Sequence, residues 1–463
     1  MELESVGDLA LHIILTKLGP ENVCRAACVN KKLRLSASED TVWSRFCLQE
    51  LDLSAPLGPQ GDPLPSFKAA YQKWREAFCM YPWPLVRRVK RCWDRLQGWL
   101  SMNFPEAAAT LRKGASEADI QELESVLRVK LPLPTRILYR FHDGQEFADS
   151  DFTKSTLGGS LGIIGGYCFY DHLVNVNLLP LSQVILETNH IIRHLGFSSR
   201  SNYIVVAASC TSGEKLFFLN CRHGQLHVGT RNLPTDGEMM PCVPNALISS
   251  VHDRNADLQQ DAMLLWLEEH GRRLQSGMIK LREEGGVRSI CQFPEEPALC
   301  STAITNGVRT REAKDDKDSK AETCASVEII RASAVFVPEH SDLQDESNRY
   351  LFSYSIRMSL IPEGCMANGM PYNYCQLHLR HWIIRDNDVI VSNVNGEAVI
   401  GKFPLLHSGG KEFVYQSCTN LQSSRGSIEG AFTFVPGRLA DPKGGPFSVQ
   451  VAQFPVQLPD YVF

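Results

Sequence analysis

Near the start of the chain, Leu11, Ile14, Leu15 and Leu18 recur at helical spacing and predict one amphipathic helix. Gly19-Pro20 ends that helix and opens a second, which carries Val23, Ala26 and Ala27 with the cysteines Cys24 and Cys28. After the basic run Lys31-Lys32-Leu33-Arg34, Ser38-Glu39-Asp40 offers an N-cap ahead of Trp43 and Phe46, which share a helical face. Residues 1–48 thus predict a small helical unit. So few residues leave much of their own apolar side uncovered, and a second protein is the natural cover.

The pattern then changes. Residues 49–66 are rich in Pro, Gly, Leu and Asp and read as a connector. Val86, Val89, Trp93, Leu96 and Leu100 form a new helical stripe within an aromatic-rich stretch, so residues 49–89 are a connector and the start of a helix. Ser116 and Asp119 are spaced as a capping box, and Ile120, Leu123, Val126 and Leu127 make the buried face of the helix they start. Tyr203–Ala207 and Lys215–Leu219 read as strands, and Ala262–Leu281 as a closing helix, which gives a mixed α/β unit over residues 90–290. Residues 311–322 are charged or small throughout and read as solvated and mobile. From Val327 the period becomes two: Tyr350, Phe352, Tyr354, Ile356 and Met358 alternate with smaller or polar residues as in a half-buried strand. Further short strands flank turns such as Asp386-Asn387-Asp388, predicting an all-β sandwich over residues 300–463.

Length supports this division, since 463 residues exceed one hydrophobic core. The net charge of -5 and the absence of a recurring basic stripe argue against nucleic-acid binding. No apolar run is long enough to span a membrane, and Met1-Glu2-Leu3-Glu4 is unlike a secretory leader, which places the protein in the cytoplasm or nucleus. Fifteen scattered cysteines without a Cys-x-x-Cys pair read as reduced thiols. Cys375, His378 and His381 look like metal ligands, but an extended segment sends residues three apart to opposite faces, and neither metal nor cofactor is expected. Gly158-Gly159-Ser160-Leu161-Gly162 fits the Gly-x-Ser-x-Gly hydrolase pattern, yet it lacks the strand before and the helix after that a nucleophile elbow requires. No catalytic residue is assigned.

The N-terminal order of leucine-rich helix, Pro-led second helix and closing Trp resembles the F-box, the segment that docks onto the Skp adaptor of cullin-based ubiquitin ligases. That resemblance implies adaptor contacts by Leu9, Leu11, Ile14, Leu15, Leu18, Pro20, Val23 and Trp43. The acidic helix from Ser116 to Leu127, followed by Leu131-Pro132 and His142-Asp143-Gly144-Gln145, resembles the SUKH (Smi/Knr-like) superfamily, which implies a protein-binding scaffold. The run Arg380-His381-Trp382, Gly401-Lys402-Phe403-Pro404, Tyr415-Gln416-Ser417 and Gly426 to Phe432 resembles the ApaG domain, which implies an immunoglobulin- or fibronectin-like sandwich. Bacterial ApaG members carry a Gly-x-Gly-x-x-Gly loop suspected of holding phosphates. Gly396, Glu397, Ala398 and Gly401 stand there, as a turn or as an anion loop; alanine replaces the middle glycine and Glu397 would repel phosphate.

The three resemblances in this order are those of F-box-only proteins with an ApaG tail. They imply a non-catalytic substrate receptor of a Skp-cullin-F-box ligase. Such a receptor reaches cullin and RING subunits through the adaptor and presents an unidentified target protein for ubiquitination and degradation. Two alternatives remain: a protein that binds or turns over a phosphorylated small molecule through the ApaG unit, and a Skp-bound scaffold without a degradative role.

Overall fold

The computed structural model describes residues 7–146, 161–169, 172–195, 202–210, 214–230, 239–248, 259–284, 287–295, 326–343, 345, 349–367 and 370–463. The charged segment 311–322 and most of the Gly-x-Ser-x-Gly stretch lie outside these residues. The chain is a multidomain α+β protein: helices first, a mixed α/β unit next and an all-β sandwich last.

Four helices open the chain, α1 (Asp8–Leu18), α2 (Pro20–Ala26), α3 (Lys31–Ser36) and α4 (Asp40–Leu51). Gly19 sits at φ 80 between α1 and α2, a conformation glycine adopts without steric cost, and Pro20 then occupies the first turn of α2. Asn30 caps α3 by accepting the Leu33 amide at 2.7 Å. Leu11, Leu15, Val23, Leu33, Val42, Trp43 and Phe46 fill the interior of this bundle.

Two helices bind the bundle to the next unit. In α5 (Phe67–Ala77), Tyr71 packs on Trp43 with ring centroids 5.4 Å apart. The Glu50 carboxylate accepts from both the Tyr71 hydroxyl (2.7 Å) and the Trp83 indole (2.9 Å). The helix α6 (Trp83–Asn103) runs through position 89/90, where the sequence places the edge of the central unit. Its stripe Val86, Val89, Trp93, Leu96 and Leu100 is buried, as the spacing predicts.

Past the single turn α7 (Pro105–Ala108), the capping box forms as read: Ser116 accepts from the Asp119 amide, and the Asp119 carboxylate from the Ser116 amide. It starts α8 (Glu117–Leu127), in which Ile120 and Leu123 are buried; Val126, expected on the same face, is exposed. After α9 (Leu133–Phe141) come β1 (Gly165–Phe169), β2 (His172–Leu178), α10 (Leu181–Leu195), β3 (Tyr203–Cys210), β4 (Glu214–Asn220), β5 (Leu226–Gly229) and β6 (Met240–Pro241). The unit closes with α11 (Ala262–Gln275), β7 (Lys280–Glu284) and β8 (Val287–Cys291). The expected closing helix to Leu281 is thus shorter, because Gly277 at φ 72 turns the chain into β7. The eight strands form one sheet in the order β6-β5-β4-β3-β2-β1-β8-β7, antiparallel except for β1 beside β8. Gly165 in β1 allows this closeness, since a Cβ there would stand 2.2 Å from the Ile290 carbonyl oxygen of β8.

The sandwich has one sheet of β9 (Ser326–Phe336), β10 (Tyr350–Ala367), β11 (Met370–Tyr372) and β15 (Phe413–Leu421). The facing sheet holds β12 (Tyr374–Asp386), β13 (Val389–Glu397), β14 (Leu405–His407), β16 (Arg425–Arg438), β17 (Asp441–Pro442) and β18 (Phe447–Gln457). Trp382 fills the space between them, edge-on to Phe432 at 5.1 Å and to Tyr354 at 6.3 Å. The strand predicted as half-buried is covered on both sides: Ser353, Ser355 and Arg357 are buried along with the apolar row. The cause is its central place between β9 and β15, with Arg357 paired to Glu412 at 3.3 Å.

The last residues return to the central unit. Trp266 on α11 donates to the Val462 carbonyl at 2.8 Å, and the Phe463 ring stacks on Trp266 with centroids 5.2 Å apart. Beside them lies a buried polar knot. Tyr167 donates to Glu339 at 2.6 Å, and Lys215 reaches the Tyr167 hydroxyl at 3.1 Å, the second Glu339 oxygen at 3.5 Å and the Phe463 carbonyl. Burial pulls the Lys215 ammonium below its usual range, and the Glu339 carboxylate opposes that pull.

Candidate functional site

Helix α1 divides cleanly into two sides. At about 100° per residue, Leu11, Leu15 and Thr16 fall on one side and are buried. Leu9, Ile13, Ile14 and Leu18 fall on the other, with 77, 51, 40 and 42% of their surface exposed. The inner side packs on α2, α3 and α4, and Arg45 of α4 reaches the Thr16 hydroxyl at 3.5 Å. Four large aliphatic side chains on one side of a short helix, left exposed by the described residues, form an apolar docking face.

The predicted contact residues therefore separate into two groups. Leu11, Leu15, Val23 and Trp43 are within 2% of complete burial and supply the bundle's own core. The Trp43 indole donates to the Ala37 carbonyl at 2.8 Å, and its ring meets Tyr71, so this tryptophan faces inward. Leu9, Ile14 and Leu18 look outward, and Pro20 is half-buried at the start of α2. Ile13 was missed by the sequence reading. Its signal was its place opposite Leu11 and Leu15, which the wide apolar stripe concealed.

The loop of Gly396, Glu397, Ala398 and Gly401 is a tight turn in which the Ala398, Val399 and Lys402 amides are committed. Gly396 and Glu397 belong to β13 and pair with Arg380 and Leu379 of β12. The Ala398 amide donates to His378 O at 3.1 Å, and Val399 and Lys402 exchange amide–carbonyl bonds at 3.0 and 2.8 Å. Ala398, Ile400 and Gly401 have φ of 64, 44 and 73, so the chain turns here through the left-handed region, and buried Val399 pins the turn. A phosphate cradle needs free amides, and here those of Ala398, Val399 and Lys402 point to carbonyls.

The motif His142-Asp143-Gly144-Gln145 is also structural. The Gln145 side chain accepts from the Ile163 and Leu178 amides at 3.0 and 3.2 Å and donates to Thr110 and to Leu161 O. Asp143 accepts from the Leu181 amide at 2.8 Å. Together they pin the start of the sheet to the helices. Among the described residues, no group of three His, Cys, Asp or Glu side chains is placed to hold a metal ion. None of the described helices is long and apolar enough to cross a membrane.

Comparison with known proteins identifies the sandwich. The ApaG domain family matches residues 340–436, within the sandwich. Over its whole length the chain is 56% identical to F-box protein SKIP16 of Arabidopsis thaliana, covering 100% of both. The chain is an F-box protein with an ApaG domain. It is also 23% identical to human F-box only protein 3, over 94% of this chain and 79% of that protein. Protein ApaG of Nitrosomonas europaea is 32% identical over 28% of this chain and 89% of its own. In this F-box protein the helical unit, the central sheet and the sandwich follow one another without a long covalent gap between the first two, because α6 belongs to both.

Proposed function

We propose that this F-box protein is the non-catalytic substrate receptor of a Skp-cullin-F-box ubiquitin ligase. The observation that carries the reading is the outward face of α1, where Leu9, Ile13, Ile14 and Leu18 await an apolar partner while Leu11 and Leu15 hold the helix in place. The Skp adaptor covers this face, and cullin and RING subunits join through it. The central unit, a SUKH-like scaffold, and the ApaG sandwich hold a target protein, whose ubiquitination leads to its degradation. Proximity is the mechanism: a target held beside the charged ubiquitin carrier experiences a high effective concentration, so the receptor needs no nucleophile. Co-purification of the Skp adaptor with the full chain, lost on replacing Leu9 and Ile13 together by serine, tests the docking. Retention of the adaptor by the folded double variant would refute it.

A further inference from the structure

A cavity of about 420 Å³ lies where α6 meets α11, lined by Arg87, Arg88, Arg91, Arg95, Cys92 and Glu268 among others. The arginines are successive neighbours on one helix face, Arg87, Arg91 and Arg95 four residues apart and thus spread over about 12 Å. Two have carboxylate partners. Arg88 holds Glu268 with both prongs, at 2.8 and 2.6 Å, and Arg91 meets Asp52 at 2.8 Å. The other two lack one. Arg87 spends one terminal nitrogen on the Gln49 carbonyl at 2.7 Å, while its Nε is buried with no partner. Arg95 is exposed, makes neither hydrogen bond nor ion pair among the described residues, and lays its stem against Gly271 of α11. Two guanidinium groups thus have no carboxylate in direct contact among the described residues, Asp52 acting on Arg87 only at a distance, in a concave site that includes the buried Cys92 thiol, whose pKa burial raises.

We infer that this cavity binds a phosphoryl group. A phosphate ester carries close to two negative charges and three acceptor oxygens, which match the open fork of Arg95 together with the remaining terminal nitrogen of Arg87, where a single carboxylate would neutralise only one charge. The volume exceeds that of a phosphate alone and accommodates the group that bears it. Arg91 can add a third fork, because its pair with Asp52 is about half exposed and such pairs are weak. The site touches the end of α4 through Asp52 and Gln49 and the central unit through Glu268, so a bound phosphate lies at the junction of the two. This assignment is independent of adaptor docking.

The test uses the full chain and fluorescence anisotropy at low salt, with a degenerate peptide library centred on phosphoserine, the same library with serine, and inorganic pyrophosphate as a separate probe. The phosphoserine library is expected to bind at least tenfold tighter than the serine library. The pair Arg87→Gln and Arg95→Gln is expected to weaken it at least tenfold, and Arg95→Gln alone, at an exposed and unpaired position, at least threefold with an unchanged melting temperature. Arg25→Gln on α2 serves as the charge control and should change nothing. Binding of pyrophosphate with the same arginine dependence, and of neither library, keeps the phosphoryl site and assigns it to free phosphate compounds. Equal binding of the two libraries with no arginine-dependent pyrophosphate binding, or loss by Arg25→Gln equal to that by Arg95→Gln, overturns the inference.

Discussion

Removing the outward face of α1 should separate docking from folding. Full burial of a Leu or Ile side chain is worth roughly 1.5–3 kcal/mol. Leu9 and Ile13 expose 77 and 51% of their surface, so covering both contributes roughly 2–4 kcal/mol in proportion to that area. Leu9→Ser with Ile13→Ser should then weaken adaptor binding about thirtyfold to a thousandfold. The same double variant should melt normally, since neither residue lies in the bundle core. Leu15→Ala acts in the opposite way. That side chain is 1% exposed, so its truncation costs about 2–5 kcal/mol of bundle stability and affects the adaptor only through unfolding. Isothermal titration of the purified adaptor, paired with thermal melting of each variant, reads both quantities. An unchanged dissociation constant for the double variant, or a Leu15→Ala protein that melts normally yet fails to bind, would refute the division of α1 into a docking side and a core side.

Other expectations follow from the interior. Lys215→Met leaves the fully buried Glu339 without its cation and should cost about 3–5 kcal/mol in urea denaturation; adding Glu339→Gln should recover much of it, and a neutral single variant would show that the knot does not hold the units together. Burial lowers His227 and His270 to about 4 against 6.5 for a free imidazole. The unfolded chain therefore takes up those protons first, so stability should fall as pH drops from 6.5 to 4 and level off below; His227→Phe should shallow that slope, and an identical slope would contradict it. Gly98 is exposed in α6 with open space at its Cβ position, so Gly98→Ala should raise stability by about 1 kcal/mol, measurable as a higher urea midpoint.

Local signals were legible where local chemistry decides the outcome. The box of Ser116 and Asp119, the stripe from Val86 to Leu100 and the Asn387 hairpin turn each follow from interactions within a few residues. The limits of periodicity appear in α1 and α8. Leu11, Ile13, Ile14, Leu15 and Leu18 cover more than one side of a helix, and spacing alone cannot say which side the bundle takes. Val126 fits the apolar period of α8 and still faces water, because packing partners and not the helix set where burial ends. Tyr167, Lys215, Glu339 and Phe463 come from distant parts of the chain, so no motif announces their meeting. The arginines of α6 have a visible four-residue spacing, but only the fold reveals which of them find carboxylates.

Because α6 is shared by two units, its helical phase acts as the protein's angular setting. Each residue of helix adds about 100° of rotation and 1.5 Å of length. A one-residue insertion between Arg91, which pairs with Asp52, and Trp93, which donates to the Leu138 carbonyl, would turn the residues that hold α4 by more than a quarter turn about the helix axis relative to that anchor and would break the Arg88–Glu268 pair. The bearing of the docking face relative to the rest of the molecule is thus discrete, set in whole-residue steps, and not a hinge angle free to drift.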